Sequence, residues 1–186
     1  IDKISIIETI LESSDFKILR PAGNTKYYVT PIIRMISALK QESLTPDDLL
    51  LIIDQQQESL SGMQKIHEKG AHKGKVRGEY TKLQRVIDKN REFYFAYTQY
   101  EALLKNEGLY DFEDMLLSAI IALKDNEDML RDLQETYQYV LADEHQDVNG
   151  SQNTLLELLV TYHSNPNIFA VGDEKQAIYR FQGASL

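Results

Sequence analysis

The chain has 186 residues, is 42% hydrophobic, carries a formal net charge of -9 and contains no cysteine. That is enough apolar material for a packed core in one domain or two small ones, and the absence of cysteine excludes disulfides and thiolate zinc sites. The acidic balance excludes bulk attraction to nucleic acid or to an anionic membrane, so any polyanion has to be met by a local site. No run reaches the roughly 18 apolar residues of a membrane-spanning helix, and no charged-then-apolar leader opens the sequence. A soluble, cytoplasmic protein with no membrane partner is expected. The chain opens at Ile1 and stops at Leu186 just past a run of strong signals, as expected of a piece of a longer polypeptide.

Up to about residue 108 the pattern is almost entirely helical. In "SLTPDDLLLII", Thr45 stands as N-cap, Pro46 at the first helical position and Asp48 at the third. Then comes "QKIHEKGAHKGKVRGEYTK", residues 64–82, with Lys65, Lys69, Lys73, Lys75, Arg77 and Lys82 among glycines 70, 74 and 78. Each glycine weakens a helix by about 1 kcal/mol, which predicts a mobile basic loop between two helices. Such a loop either contacts phosphate or is a solvated connection. In "FYFAYTQYEALLKNEGLYDF", Phe93, Tyr97, Tyr100 and Leu104 fall at helical spacing, and core packing explains them better than base stacking. Gly108 ends that helix. Asp111 caps the next, whose predicted inward stripe is Met115, Ala119, Ile120 and Leu123.

From residue 137 the period changes. "YQYVLA" and "NIFAV", residues 137–142 and 167–171, are short apolar runs suited to strands buried on both faces. Between them Leu155, Leu158, Leu159 and Tyr162 repeat at helical spacing, and "SNPN" supplies the turn back. A strand, helix, strand unit leaves its strands parallel, with both carboxyl ends on one edge. The clusters "DEHQD" and "GDEKQ" follow those strands directly, on the edge where open parallel sheets bind ligands. Asp143, Glu144 and Asp147 place three carboxylates within five positions, which is costly unless a cation sits among them. A hydrated magnesium ion carrying phosphates suits such an edge, with Asp143 holding the metal and Glu144 polarising an attacking water. Asp173 and Gln176 are placed to hydrogen-bond that water, the metal shell or a terminal phosphate. Acidic strand ends also serve as plain helix caps.

"LADEHQDVNGSQ" followed by "VGDEKQAIYRFQGAS" resembles motifs II and III of superfamily 1 DNA helicases of the UvrD/Rep type, in the right order and separation. "NEGLYDFEDML" resembles the approach to motif II. "LRPAGNTKYYVTPIIRMISALKQESLTPDD" is similar in character to the inserted helical subdomain of that family, though less diagnostic. The resemblance implies a mostly helical α/β chain: residues 1–108 as the inserted helical subdomain, and 109–186 as part of a parallel-sheet RecA-like P-loop NTPase domain. It implies Asp143 as the magnesium aspartate, Glu144 as the catalytic base and Gln176 as the sensor of the terminal phosphate of ATP. Gln146 and Asp147 would link the nucleotide site to the rest of the motor. Tyr179 and Phe181 match positions that stack on single-stranded DNA bases, an interaction worth about 1–3 kcal/mol per base; burial in a core is their alternative. Arg180 would contact phosphate or be structural.

The chain departs from the family pattern at three motif positions. Gln182 stands where arginine is usual, which removes a charged contact that would couple DNA to nucleotide. His145 replaces the usual aromatic and, with no second histidine at ligand spacing, reads as a packing or hydrogen-bonding residue. Ala142 replaces the commoner valine. No G-x-x-x-x-G-K-[ST] occurs in the 186 residues, so the phosphate-cradling loop is not among them and these residues alone are not expected to hydrolyse ATP. The resemblance also leaves the outer edge of strand 167–171 unpaired. Two functions follow. In one, the full-length polypeptide couples ATP hydrolysis to movement on single-stranded DNA and to separation of duplex DNA, with the other domains of the same chain as partners. In the other, the fold persists as a non-catalytic DNA-binding or docking module.

Overall fold

The computed structural model describes residues 2–69, 72–162 and 165–173. The chain divides into two compact units, Ile1–Arg34 with Thr45–Leu109, and Met35–Leu44 with Tyr110–Leu186. Among the described residues it is mostly helical, with one small two-stranded sheet.

In the first unit, α1 (Lys3–Ser13), the start of α2 (Val29–Gln41), α3 (Pro46–Ser61) and α4 (Gly78–Asn106) supply the helices. The start of α3 is spelled out by its sequence: the Thr45 hydroxyl accepts from the Asp48 amide while Asp48 accepts from the Thr45 amide at 2.8 Å. Both groups answer backbone donors that the first turn would otherwise leave unpaired. The Thr45 hydroxyl, and then its amide, hold the Asp48 carboxyl below its ordinary value. Helix α4 packs on α3 and α1. Its expected stripe is found, with Phe93, Tyr97, Tyr100 and Leu104 all buried. The helix stops where glycine permits it: Gly108 takes φ +63°, and Leu109 N–H donates to Leu104 O at 2.8 Å.

The link from α1 toward α2 is pinned by a single side chain of α4. The Glu92 carboxylate accepts the amides of Lys17 at 3.0 Å, Ile18 at 2.9 Å and Leu19 at 2.8 Å. Hydrogen bonds to a charged acceptor are worth about 1.5–3 kcal/mol. Glu92→Ala is therefore expected to lower the stability of this unit by about 2 kcal/mol, and Glu92→Gln by less, because a neutral acceptor remains. Urea midpoints of the two variants check this; an equal loss in both would rule out the charge as the cause.

As expected, the basic segment is not helical but connects two helices, α3 and α4, and its backbone folds back on itself. Ile66 and Val76 form an antiparallel bridge, His67 N–H donates to Lys75 O at 3.0 Å and Arg77 N–H to Lys65 O at 2.9 Å. Gly74, at φ +83°, supplies the left-handed residue of that hairpin. Residues 78–82, expected in the loop, already belong to α4.

The second unit is built from the segment Met35–Leu44 together with α5 (Phe112–Asp125), α6 (Glu127–Thr136), β1 (Val140–Ala142), α7 (Gly150–Val160) and β2 (Ile168–Ala170). Asp111 caps α5 as expected, in a capping box with Asp114. The inward stripe is only half as predicted. Ile120 and Leu123 are buried, but Met115 is 56% exposed and Ala119 is exposed, while Leu116 and Leu117 are half-buried in their place. The buried face runs through Leu116, Ile120 and Leu123, so Met115 and Ala119 lie at its edge although Leu123 shares their row.

Strands β1 and β2 pair in parallel, Val140 with Ile168, Leu141 with Phe169 and Ala142 with Ala170, with α7 between them in sequence. The parallel unit is therefore as expected, but burial on both faces is not. Leu141 is 77% and Phe169 63% exposed. Helices α5 and α6 pack on α7, and α7 on β1, so among the described residues the helices lie against each other and one strand. Leu155, Leu158 and Leu159 of α7 are half-buried; Tyr162 lies beyond the helix and is exposed.

Candidate functional site

The site forms where β1 ends. Asp143 and Glu144 are exposed, and the Glu144 amide donates to Asp143 Oδ1 at 2.9 Å. Glu144 itself takes the left-handed conformation, φ 49°, ψ 40°. For a residue with a Cβ this costs on the order of 1–2 kcal/mol and persists only where neighbours enforce it. The exit of β2 supplies such neighbours. A short 3-10 helix, His145–Asp147, follows at once. The His145 amide donates to Val171 O at 2.8 Å, and the Val171 amide to Ala142 O at 2.8 Å, which ties the acid loop to the exit of β2.

Gln146 is buried at the centre of this arrangement. Its Nε2 donates to Glu144 Oε2 at 2.5 Å, and its Oε1 accepts the Asp173 amide at 2.9 Å. One amide side chain thus clasps the Glu144 carboxylate and the backbone of the second cluster. Asp143, Glu144 and Asp173 lie at the carboxyl ends of neighbouring parallel strands, on one edge of the sheet. Asp147 Oδ1 and His145 Nδ1 are buried without a hydrogen-bond partner among the described residues. Gln176, Tyr179, Arg180, Phe181 and Gln182 lie outside the described residues.

Gly172 is a site residue that sequence reasoning missed. A Cβ there would stand 2.6 Å from Gln146 Oε1 and 3.0 Å from Gln146 N. Only glycine lets the chain pass this close to the clasp. Gly172→Ala is expected to push Gln146 off both partners and to cost about 1–3 kcal/mol, as overpacking does. Denaturant unfolding measures the loss, and a neutral result would mean that Gln146 gives way freely.

Among the described residues no group of three or more His, Cys, Asp and Glu forms a metal cage. Magnesium is held through one or two carboxylates, with water and phosphate oxygens filling the rest of its shell. Asp143 is exposed, its Oδ1 accepts the Glu144 amide, and a carboxylate so placed suits a hydrated magnesium ion.

A second polar feature lies in the first unit. An open groove is lined by Ile18, Tyr28, Thr81, Lys82, Arg85 and Lys89, and Lys89 Nζ stands 4.7 Å from the centre of the Tyr28 ring. Three cations converge there on a chain whose net charge is -9.

Comparison with known proteins gives the class. The UvrD/REP helicase N-terminal domain family matches residues 5–186, and the chain belongs to that family. It is 40% identical over 89 residues to a probable DNA helicase of Mycoplasma pneumoniae, covering 48% of this chain and 16% of that protein. To the ATP-dependent DNA helicase Rep of Escherichia coli K12 it is 38% identical over 97 residues, 52% of this chain and 14% of Rep. To a probable DNA helicase II homolog of Mycoplasma genitalium it is 41% identical over 89 residues, 48% of this chain and 12% of that protein. The matched stretch thus spans a small part of each relative.

Proposed function

We propose that this chain is part of an ATP-driven DNA helicase, with residues 1–108 as its inserted helical subdomain and 109–186 as the motif II and III portion of its first RecA-like domain. The observation that carries this reading is the parallel strand pair that sets Asp143 and Glu144 beside Asp173 on one sheet edge, with Glu144 clasped by Gln146. Asp143 would hold a hydrated magnesium ion, which supplies charge neutralisation at the phosphates of bound ATP. Glu144 is the general base: it takes a proton from the water whose oxygen bonds to the terminal phosphorus as the bond to the leaving ADP oxygen breaks. Gln146 holds that carboxylate in place, and Gln176 reads the terminal phosphate. Tyr179 and Phe181 stack on single-stranded DNA, Arg180 meets its backbone, and Asp147 and Gln182 carry the coupling. The cycle then drives movement along single-stranded DNA and separation of the duplex.

The phosphate loop and the second RecA-like domain belong to the rest of the polypeptide under this reading, so the test uses the full-length protein. Magnesium-dependent ATP hydrolysis is measured with and without single-stranded DNA, and stimulation by DNA is expected. No turnover under either condition sinks the motor reading. The basic groove beside α4 favours a second reading, a non-catalytic DNA-binding or docking module. DNA binding abolished by Lys82→Ala, Arg85→Ala and Lys89→Ala in a protein without turnover would establish it.

A further inference from the structure

Glu144 holds a conformation that its neighbours must enforce, and on one side they are identified: the β-ladder bonds of Ala142, His145 and Val171. The other side of the acid loop runs into α7, whose cap is Asn149, two residues beyond Asp147. What holds the start of α7 in place is a turn more than 100 positions earlier in the chain. Ser151, 2% exposed, donates its hydroxyl to Lys40 O at 2.6 Å, and its Oγ stands 3.0 Å from Ser43 Oγ. Lys40 O also accepts the Ser43 amide at 3.0 Å, closing a turn in which Ser43 takes a left-handed φ of 57°. The turn presses directly on the helix: a Cβ on Gly150 would stand 3.2 Å from Glu42 Cα and 2.5 Å from its Oε2.

Charge locks this turn. The Lys40 side chain is 1% exposed, and its Nζ lies 2.9 Å from Asp111 Oδ2 and 2.5 Å from Asp114 Oδ1, the two carboxylates of the α5 capping box. A buried ammonium between two carboxylates is a poor way to gain stability, since apolar side chains of similar volume do as well or better. It does, however, tie the turn to the α5 cap at two points. A continuous series of bonds therefore runs from the α5 cap through Lys40 and Ser151 to the helix that follows the acid loop.

We infer that the turn at residues 40–43 is a strut for the acid loop, in which Lys40 and Ser151 are positioning residues for the Glu144 carboxylate. The inference rests on the reading of Glu144 as general base. Its test is arranged so that failure of that reading shows separately, in a wild-type protein that does not turn over.

The experiment uses the full-length protein with two variants. Ser151→Ala removes one hydroxyl. Lys40→Met combined with Asp111→Asn and Asp114→Asn removes the charges without leaving a carboxylate uncompensated, which guards against simple unfolding. Steady-state ATP hydrolysis and amide hydrogen exchange of residues 143–148 are measured on each, alongside thermal melting. The loss of one hydrogen bond's worth of restraint is expected to speed exchange in 143–148 by about 5- to 10-fold and to lower kcat by a similar factor, with KM for ATP within about 2-fold. Exchange within α3 and α4 is expected to stay unchanged. If melting falls while exchange at 143–148 and kcat per folded molecule stay at wild-type values, the turn is only structural and the inference is overturned. If the wild type does not hydrolyse ATP, the exchange measurement alone decides the strut.

Discussion

If the proposed motor reading holds, Glu144→Gln in the full-length polypeptide is expected to slow DNA-stimulated ATP turnover by about 10²–10⁴-fold while leaving nucleotide affinity nearly unchanged. Glutamine has almost the shape of glutamate, and its amide oxygen still accepts from Gln146 Nε2, which now donates to Glu144 Oε2 at 2.5 Å. The clasp and the left-handed backbone at 144 are therefore kept. What is lost is the capacity to take a proton from water. Parallel measurement of turnover and of nucleotide Kd separates the two, and turnover at the wild-type rate would remove Glu144 from the chemistry. Gly172→Ala probes the same carboxylate from the other side, by displacing its partner instead of its charge.

The largest loss of stability is expected from Lys40→Met. Methionine fills much of the same space, but it leaves Asp111 and Asp114 facing each other without the cation that lies within 2.9 Å of both. Removing one partner of a buried ion pair costs about 3–5 kcal/mol, because the charge left behind is desolvated. The two carboxylates also serve the α5 cap, so the helix start is weakened with them. Urea unfolding of the second unit measures the loss. Adding Asp111→Asn and Asp114→Asn is expected to restore most of it, since asparagine still caps a helix and carries no charge. A Lys40→Met variant as stable as the wild type would show that water reaches the pair.

The residues behind these effects differ in how legible they are in the sequence. The caps at Thr45 and Asp111 and the stop at Gly108 are each written within a few consecutive residues, so short-range reasoning reaches them. The buried aromatic row of α4 follows from one period over a long helix. The parallel pairing of β1 and β2 follows from two apolar runs separated by a helix. Where the sequence misleads, what it lacks is the identity of the opposing surface. Leu141 and Phe169 are as apolar as any buried strand residue, yet both are largely exposed, because apolarity records what a segment can bury and not what lies over it. Met115 and Ala119 mislead for the same reason, lying beside the face that packs. Lys40 carries no local signal at all: its partners lie 71 and 74 positions further along, in a stretch already explained as a helix cap. Gln146 stands out through resemblance, but its grip on both Glu144 and Asp173 is a fact of three dimensions.

The three amides gathered by Glu92 form a receptor for a negative charge that the protein fills with its own side chain. Emptying it by Glu92→Ala leaves a small cup of N–H donors, and such cups accept small oxyanions from solution. Chemical complementation follows: millimolar formate or acetate should return to the alanine variant part of what the mutation took, while leaving the wild type unmoved. The unit's first loop is thus held by a tether that can be exchanged for a soluble one.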